Sequence, residues 1–456
     1  MLTSLIVAAV LAHAASFDDP ERRAPDPKAR AHALYAWTSE GGLRYTWCLP
    51  EGYDPAQPRN LTVICHGTGL DYRWGTLNNL PGVFRPDDVV VSVDGPTPDG
   101  QARLFLGEPK DAQAMRAFLG EMRKQFAVDR VFLYGHSQGG FFVVYFAGEF
   151  PDEVAGVVAH ASGAWNWSKT GKDVRQVAIC FMHGTQDQVV PYRQSPGSRD
   201  HYAGLKFELL SLRRLADYSH WPNAVRANEC LSWCQGMSAR DPAEALAAAL
   251  EILRPKKSDE YQWETVVGFA QARDVLRRLV GEGPAPFEAV DPKLVEHAQR
   301  VIEALEKEGA RHVAVLQKQV KKGLALDGKP WLGHLIALRE DFRGVDSVEA
   351  YVKAIGFDKQ CEAQRKAVEQ VLTAWYGDAA PSEKLAEILD GLAGGYLFEG
   401  YPPELSEQVE TWKAGAKLDK KAEKKYAGFA AWREAWKDGT QQYADLWKDW
   451  KGPPGS

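Results

Sequence analysis

The chain has 456 residues, a length that accommodates two or three domains. Hydrophobic residues make up 45% and charged residues 25%, which is typical of globular proteins and excludes disordered, collagen-like and disulfide-scaffold chains. The formal net charge of −6 argues against a nucleic-acid-binding protein, because such a protein concentrates basic residues on its surface. Six cysteines are too few for disulfides to hold a chain of this length together.

The first residues of the chain have the pattern of an export signal. An apolar run over residues 5–11 is too short to span a bilayer, and Ala12 and Ala14 provide the small residues of a cleavage site. We predict a signal peptide over residues 1–15 and a secreted or periplasmic protein; the alternative is an ordinary N-terminal strand or helix. No later stretch is long and apolar enough to predict a transmembrane helix.

Up to about residue 237, short apolar runs alternate with segments of helical length. Several runs are continuously apolar, as are strands that are buried on both faces of a mainly parallel sheet. The predicted strands are 43–49, 61–65, 89–93, 131–134, 154–160, 177–182 and 207–215, with helices at 111–126 and 139–149. This alternation predicts an α/β fold with a doubly wound sheet.

Beyond residue 237 the strand pattern ends, and Ala, Leu, Glu, Lys and Arg dominate at helical spacing. The predicted helices are 242–253, 263–279, 292–308, 312–324 and 360–376. The Gly- and Pro-rich segment 281–286 is the clearest linker. We therefore predict an α/β domain over residues 16–240, a helical extension and linker over 241–283, and a helical C-terminal domain over 284–456.

A candidate nucleophile stands in the motif Gly-His-Ser-Gln-Gly-Gly at residues 135–140, directly after the apolar run 131–134. A serine between a strand and a helix, flanked by glycines that avoid a collision of the two elements, is the pattern of a nucleophile elbow. Gly-x-Ser-x-Gly alone is a weak signal, but its position after a buried strand strengthens it. We predict that Ser137 is a catalytic nucleophile rather than part of a simple glycine turn.

A serine nucleophile needs a base that takes its proton and a carboxylate that orients the base. Asp187 follows a predicted strand, so we expect it at the same sheet edge as Ser137. His220 follows the run 207–215 and is expected at that edge too, whereas His201 precedes the run and is expected at the opposite edge. The sequence therefore predicts a catalytic triad of Ser137, Asp187 and His220.

The tetrahedral intermediate of acyl transfer carries an oxyanion, which preorganised N–H groups stabilise. We predict one donor at the backbone N–H of Gln138, the residue after the nucleophile. The other is expected after the strand 61–65, at the Thr68 N–H or, as the alternative, at the Gly67 N–H, because glycine lets backbone approach a substrate closely. His66 is interpreted as a residue that shapes this loop.

Four motifs together resemble the α/β-hydrolase fold, and more narrowly its secreted polyhydroxybutyrate depolymerase and feruloyl esterase-like branch. They are His-Gly-Thr-Gly at 66–69, the elbow at 135–140, His-Gly-Thr-Gln-Asp at 183–187 and His-Trp-Pro at 220–222. The resemblance covers roughly residues 40–240. It implies carboxylic-ester hydrolysis through an acyl-enzyme carried by Ser137, Asp187 and His220, with no cofactor. The helical second half has no counterpart in this resemblance.

The remaining signals are weaker. Asp94, Trp165 and Trp221 are placed near the expected active-site edge and are candidates for lining a substrate pocket. Cys230 and Cys234 are four residues apart, which fits either a disulfide in a helix or two neighbouring thiols. No group of cysteines and histidines has the spacing of a zinc site, so we expect no metal.

Three functions are compatible with these residues. The first is an exported serine esterase that acts on small or polysaccharide-linked carboxylic esters. The second is a serine peptidase of the same fold, because amide and ester cleavage use the same groups. The third is a binding or scaffold protein with a vestigial hydrolase domain, whose C-terminal helices contact a partner or a carbohydrate. Aromatic residues between Tyr426 and Trp450 recur at helical spacing, which indicates buried core more than a sugar-stacking surface.

Overall fold

The structure, a computed structural model, describes residues 20–75, 85–163, 177–184, 187, 189–190, 192, 194–215, 218–221, 224–254, 268–320, 335, 338–356, 450 and 452–454. The predicted signal peptide lies outside the described residues. The strands are β1 (Glu21–Arg22), β2 (Tyr35–Thr38), β3 (Arg44–Cys48), β4 (Arg59–Cys65), β5 (Val89–Val93), β6 (Thr97–Asp99), β7 (Ala102–Leu104), β8 (Val128–His136), β9 (Gly156–His160), β10 (Ala178–Gly184) and β11 (Leu210–Leu215). The helices are α1 (Pro109–Gln125), α2 (Gln138–Glu149), α3 (Gln194–Gly204), α4 (Ala224–Ser238), α5 (Pro242–Leu253), α6 (Phe269–Leu279), α7 (Pro292–Val320) and α8 (Asp346–Ala354).

Nine strands form one sheet in the described part of the chain, in the order β1-β2-β3-β5-β4-β8-β9-β10-β11. The pairings from β5 through β4, β8 and β9 to β10 are parallel, whereas β3 pairs antiparallel with both β2 and β5. Every residue of β5 and of β9 is buried, as expected of strands covered on both faces. The mainly parallel α/β sheet predicted from the sequence is confirmed.

All seven predicted strands lie in this sheet, with their ends shifted by a few residues. The sequence does not predict the short strands β1, β2, β6 and β7. Both residues of β1 are exposed, and β6 and β7 contain no fully buried residue. Such strands carry no clear hydrophobic alternation, because pairing with a neighbouring strand rather than burial of one face keeps them extended.

The predicted helices at 111–126, 139–149 and 242–253 are confirmed, and the described part of 263–279 forms α6. Helices α3, α4 and α8 are not predicted, and the predicted helix 360–376 lies outside the described residues. The predicted break between a helix at 292–308 and a helix at 312–324 is wrong, because α7 runs without interruption to Val320. Gly309 lies at the expected break, where a Cβ atom would stand 2.7 Å from Val345 Cγ1. This glycine allows close helix packing instead of ending a helix.

The chain divides into two compact units. The first comprises Met1–Met182, Gln194–Leu212 and Trp221–Ala239, and the second comprises His183–Arg193, Arg213–His220 and Arg240–Ser456. Within the second unit, the ring of Phe269 in α6 stacks on Phe342 with centroids 5.1 Å apart. Residues on both sides of the linker 281–286 therefore pack against each other within this unit. Among the described residues, no helix combines the length and apolarity needed to span a bilayer.

Candidate active site

Ser137 lies at a sharp turn between a strand and a helix. Strand β8 ends at His136 and helix α2 begins at Gln138, so Ser137 alone joins them. Its backbone has φ 52° and ψ −118°, a conformation that costs energy for any residue with a side chain. The Ser137 N–H donates to the carbonyl oxygen of His160 at 2.9 Å, which ties the turn to strand β9. This geometry is that of a nucleophile elbow.

Two glycines of the motif allow the strand and the helix to approach each other at this turn. A Cβ atom on Gly135 would lie 2.6 Å from the backbone nitrogen of Gly140. On Gly139 it would lie 2.6 Å from the carbonyl oxygen of His66 and closer still to the carbonyl oxygen of Cys65. Real Cβ atoms do not approach backbone so closely, so any side chain here would push α2 away from the sheet.

Gly139→Ala is expected to lower the free energy of unfolding by about 1–3 kcal/mol, because the added methyl group overlaps backbone atoms that cannot rotate away. Gly120→Ala is the matched control. Gly120 lies in α1 with no atom within 4 Å of its Cβ position, so alanine there should stabilise the protein by about 0.5–1 kcal/mol. Urea unfolding followed by circular dichroism measures both changes. A Gly139→Ala protein as stable as the parent would contradict the close approach.

The predicted oxyanion donors lie on two backbone segments. Gln138 is the first residue of α2, so its N–H belongs to a helix end where N–H groups have no acceptor within the helix. Gly67 lies beside the turn, because a Cβ atom on it would be 3.1 Å from Ser137 Cβ. Thr68 is exposed, whereas Gly67 is buried. The structure thus brings Gly67 and Ser137 together and leaves Thr68 at the surface.

His66 and Asp94 hold the segment that carries Gly67. His66 Nδ1 donates to the carbonyl oxygen of Gly67 at 2.9 Å, while its Nε2 accepts a backbone N–H at 3.3 Å. Burial lowers the pKa of His66, which agrees with a neutral ring in both roles. The buried Asp94 carboxylate accepts Arg44 Nε at 2.6 Å and the Tyr72 N–H at 2.9 Å. Asp94, which the sequence offers as a candidate pocket residue, therefore holds the backbone of Tyr72 and the side chain of Arg44.

Asp187 and His220 are joined by a hydrogen bond. Asp187 follows β10 and His220 follows β11, and both side chains are buried. His220 Nδ1 donates to Asp187 Oδ2 at 2.8 Å. Because a carboxylate oxygen can only accept, Nδ1 carries a proton, and in the neutral ring Nε2 is left as the acceptor. A general base that takes a proton from serine needs this tautomer.

Four donors surround the Asp187 carboxylate. Oδ1 accepts the backbone N–H groups of Val189 and Val190 at 2.8 and 2.9 Å, and Oδ2 accepts His183 Nε2 at 3.1 Å in addition to His220. Burial alone would raise the pKa of this carboxyl group. The hydrogen bonds from His183 and His220 outweigh it and hold the pKa well below its usual value. Asp187 is therefore ionised at neutral pH.

His183 is the first residue of the motif at 183–187, but no role for it is predicted from the sequence. It lies four residues before Asp187, next to the end of β10, and this spacing is the signal that could have revealed it. His201, the competing base, lies in α3, where its ring packs against Tyr202 with centroids 5.6 Å apart. The other candidate base, His220, contacts Asp187.

A stack of aromatic rings adjoins the elbow, and Trp221 is the member of it with a role predicted from the sequence. The ring of His136 stacks on Trp74, Trp221 and His160, with centroids 5.1, 6.0 and 5.0 Å away. Trp221 is 42% exposed, so one aromatic surface is open to solvent next to the strand that carries Ser137. The pocket role of Trp221 stays a prediction. Trp165 lies outside the described residues.

Cys230 and Cys234 both lie in α4 and are buried thiols that form no disulfide. The Cys234 Sγ atom is 3.6 Å from the carbonyl oxygens of Val157 and Ala178. Of the two alternatives left open by the sequence, the structure thus has two neighbouring thiols. Within the described residues, no cluster of His, Cys, Asp and Glu side chains could hold a metal ion.

Comparison with known proteins agrees with this geometry. Residues 110–212 match the model of the phospholipase/carboxylesterase family of hydrolases, a segment that includes the elbow and Asp187. Over these residues the chain is similar to hydrolases of that family. The predicted resemblance to the esterases of this fold is confirmed, and the match supports the predicted enzyme class, a carboxylic-ester hydrolase. The likeness to polyhydroxybutyrate depolymerases stays a prediction.

A bifunctional acetylxylan esterase/xylanase of Neocallimastix patriciarum is 32% identical to this chain over 162 residues. The match covers 34% of this chain and 22% of that protein, so the chain spans about a fifth of the relative's length. Among solved structures, the feruloyl esterase module from Clostridium thermocellum is 15% identical, with 47% of this chain and 93% of that chain covered at a TM-score of 0.36. The ferulic acid esterase from Anaeromyces mucronatus is 17% identical, with 46% and 92% covered at a TM-score of 0.35.

Proposed function

We propose that the α/β-hydrolase domain cleaves carboxylic esters through an acyl-enzyme. In this proposal Ser137 is the nucleophile, His220 the general base and Asp187 the carboxylate that orients the base. The observation that carries it is the strained backbone of Ser137 between β8 and α2, because this fold presents a nucleophilic serine on such a turn. The parallel pairing of β8, β9 and β10 supports it too, since catalytic groups gather at the carboxyl ends of parallel strands.

The proposed reaction begins when Ser137 Oγ attacks the carbonyl carbon of the ester and its proton passes to His220 Nε2. The negative charge then lies on the former carbonyl oxygen. The N–H of Gln138 and that of Gly67 or Thr68 stabilise this oxyanion, each by about 3–4 kcal/mol of barrier. Collapse of the intermediate breaks the C–O bond, and the alcohol leaves with the proton from His220. Water then attacks the acyl-enzyme with His220 as base, which releases the acid and restores Ser137.

The charge of Asp187 supports the roles proposed for Asp187 and His220. The low pKa of Asp187 means that a negative charge faces His220 at neutral pH. This charge stabilises the imidazolium that forms when His220 takes the proton, and the hydrogen bond to Nδ1 keeps Nε2 free of a proton beforehand. Asp187 itself stays ionised throughout the cycle.

We further propose a small or polysaccharide-linked ester as the substrate. The relative's acetylxylan esterase activity supports an acetyl group on a polysaccharide, and the exposed face of Trp221 supports a substrate that packs beside the elbow. Export is proposed from residues 1–15, and mass spectrometry of the mature N-terminus tests it. Residues 284–456 supply none of the proposed catalytic groups, and we propose that they contact a partner or a carbohydrate.

A fluorophosphonate probe and a substrate panel test this function. We expect the probe to label Ser137 and the enzyme to release acetate from acetylated xylan in the same preparation. Methyl ferulate, polyhydroxybutyrate and a peptide anilide complete the panel. Faster cleavage of the anilide than of any ester would favour the serine peptidase alternative. Absence of both labelling and hydrolysis in a folded protein would favour the binding or scaffold alternative.

A further inference from the structure

His183 lies at the end of β10 with its side chain fully buried. Its Nε2 atom is 3.1 Å from Asp187 Oδ2 and 3.0 Å from the carbonyl oxygen of Val190. A carbonyl oxygen can only accept a hydrogen bond, so Nε2 carries a proton and donates to both oxygens. The imidazole therefore links the strand end, the carboxylate and the loop after the carboxylate.

The second connection of this segment is to the chain that leads to His220. Gly184 follows His183, and a Cβ atom on it would lie 2.6 Å from the carbonyl oxygen of Ser219. The backbone N–H of Asp187 donates to the carbonyl oxygen of Gly184 at 3.3 Å. The strand end, the acid and the segment before the base are thus packed directly against one another.

His183 and His220 donate to the same carboxylate oxygen. Oδ1 of Asp187 is held by two backbone N–H groups, so Oδ2 is shared by the two imidazoles. A donor on Oδ2 withdraws part of the negative charge that would otherwise face His220 Nδ1. His183 can therefore affect both the direction of the carboxylate and the negative charge that faces His220 Nδ1.

We propose that His183 is a positioning residue of the ester hydrolysis: it fixes the Asp187 carboxylate so that Oδ2 faces His220 Nδ1. The inference rests on the proposed function, because it assigns Asp187 and His220 the roles of acid and base. His183 touches neither the substrate nor the reacting atoms and acts through Asp187.

The test compares His183→Leu with His183→Gln, using hydrolysis of p-nitrophenyl acetate. Leucine has no donor, so the carboxylate loses one support and kcat should fall about 10- to 100-fold. Glutamine carries an amide N–H that reaches Oδ2, and it should restore most of the lost kcat. If His183→Leu does not fold, His183→Asn replaces it, because that shorter amide does not reach Asp187.

The pH profile separates positioning from a merely structural role. The acid limb of kcat/KM reports the base of the free enzyme. Without His183 the carboxylate presents more negative charge to His220, which stabilises the imidazolium, so the limb should move to higher pH by about 0.5 unit or more. A further titratable group beside Asp187, His183 and His220 is Tyr192, whose ring meets that of His183 edge-on.

His312→Leu is the matched control. His312 is also fully buried, and its Nε2 contacts Glu308 Oε1 at 3.2 Å, four residues away on α7. This variant should lose stability but keep the parental acid limb. A His183→Leu protein with the parental limb, and with kcat no lower than that of His312→Leu, would overturn the inference. The Ser137→Ala variant distinguishes this failure from failure of the proposed function, because activity that survives in Ser137→Ala would refute the triad itself.

Discussion

Ser137→Ala is expected to lower kcat on p-nitrophenyl acetate by about 10⁴-fold or more. Alanine has no oxygen to attack the carbonyl carbon, so no acyl-enzyme can form. The fold should be unaffected, because alanine and serine both carry a Cβ atom and meet the same strain at φ 52°. Steady-state kinetics measure the loss, and mass spectrometry shows whether fluorophosphonate still adds to the protein.

A second serine provides the control for this experiment. The Ser238 hydroxyl donates to the carbonyl oxygen of Cys234 at 2.8 Å within α4, so it plays no part in the proposed site. Ser238→Ala should therefore keep the parental kcat and the parental labelling. A Ser137→Ala protein that is still labelled and still active would place the nucleophile elsewhere in the chain.

His220→Ala should cost nearly as much as Ser137→Ala, because the members of a triad act as a unit. Without His220 no base takes the serine proton, and the Asp187 charge has no imidazolium to stabilise. Asp187→Ala should cost somewhat less, since the base remains but loses its fixed tautomer. The measurement is kcat on p-nitrophenyl acetate for each variant, with circular dichroism as the check on folding.

His201→Ala is the matched histidine substitution. His201 lies in α3 against Tyr202, so its loss should leave kcat within about tenfold of the parent. The opposite outcome, an inactive His201→Ala and an active His220→Ala, would refute the assignment of the base. It would also remove the reason for placing the base and the carboxylate that orients it after β10 and β11.

The central sheet could be predicted because its strands are buried on both faces. Every residue of β5 is apolar or small, and this continuous pattern can be recognised from the local sequence alone. The elbow could be predicted for a related reason. Gly135 and Gly139 are required because helix α2 begins so close to the end of strand β8. This requirement appears in the sequence as a fixed spacing of glycines around Ser137.

The order of Ser137, Asp187 and His220 along the chain was also readable from the sequence, because each follows a predicted strand. The atoms through which Asp187 and His220 make contact were not. Their contact joins residues 33 positions apart, and local sequence carries no distance information over such a separation. Likewise, the role of Gly309 was ambiguous, because a glycine can either end a helix or let another segment pack closely against it. Only the close approach of Val345 decides between these two roles.

The amino-acid sequence by itself determined the α/β sheet, the strained serine turn and the set of candidate catalytic residues, since each depends on local patterns of apolar residues and glycine. Only the tertiary structure decided which side chains contact one another. It brought His183 and His220 onto one oxygen of Asp187 and stacked Trp74, Trp221 and His160 around His136. These contacts depend on how strands from distant parts of the chain are ordered in one sheet, and hydrogen-bond direction and ring stacking exist only after that order is established.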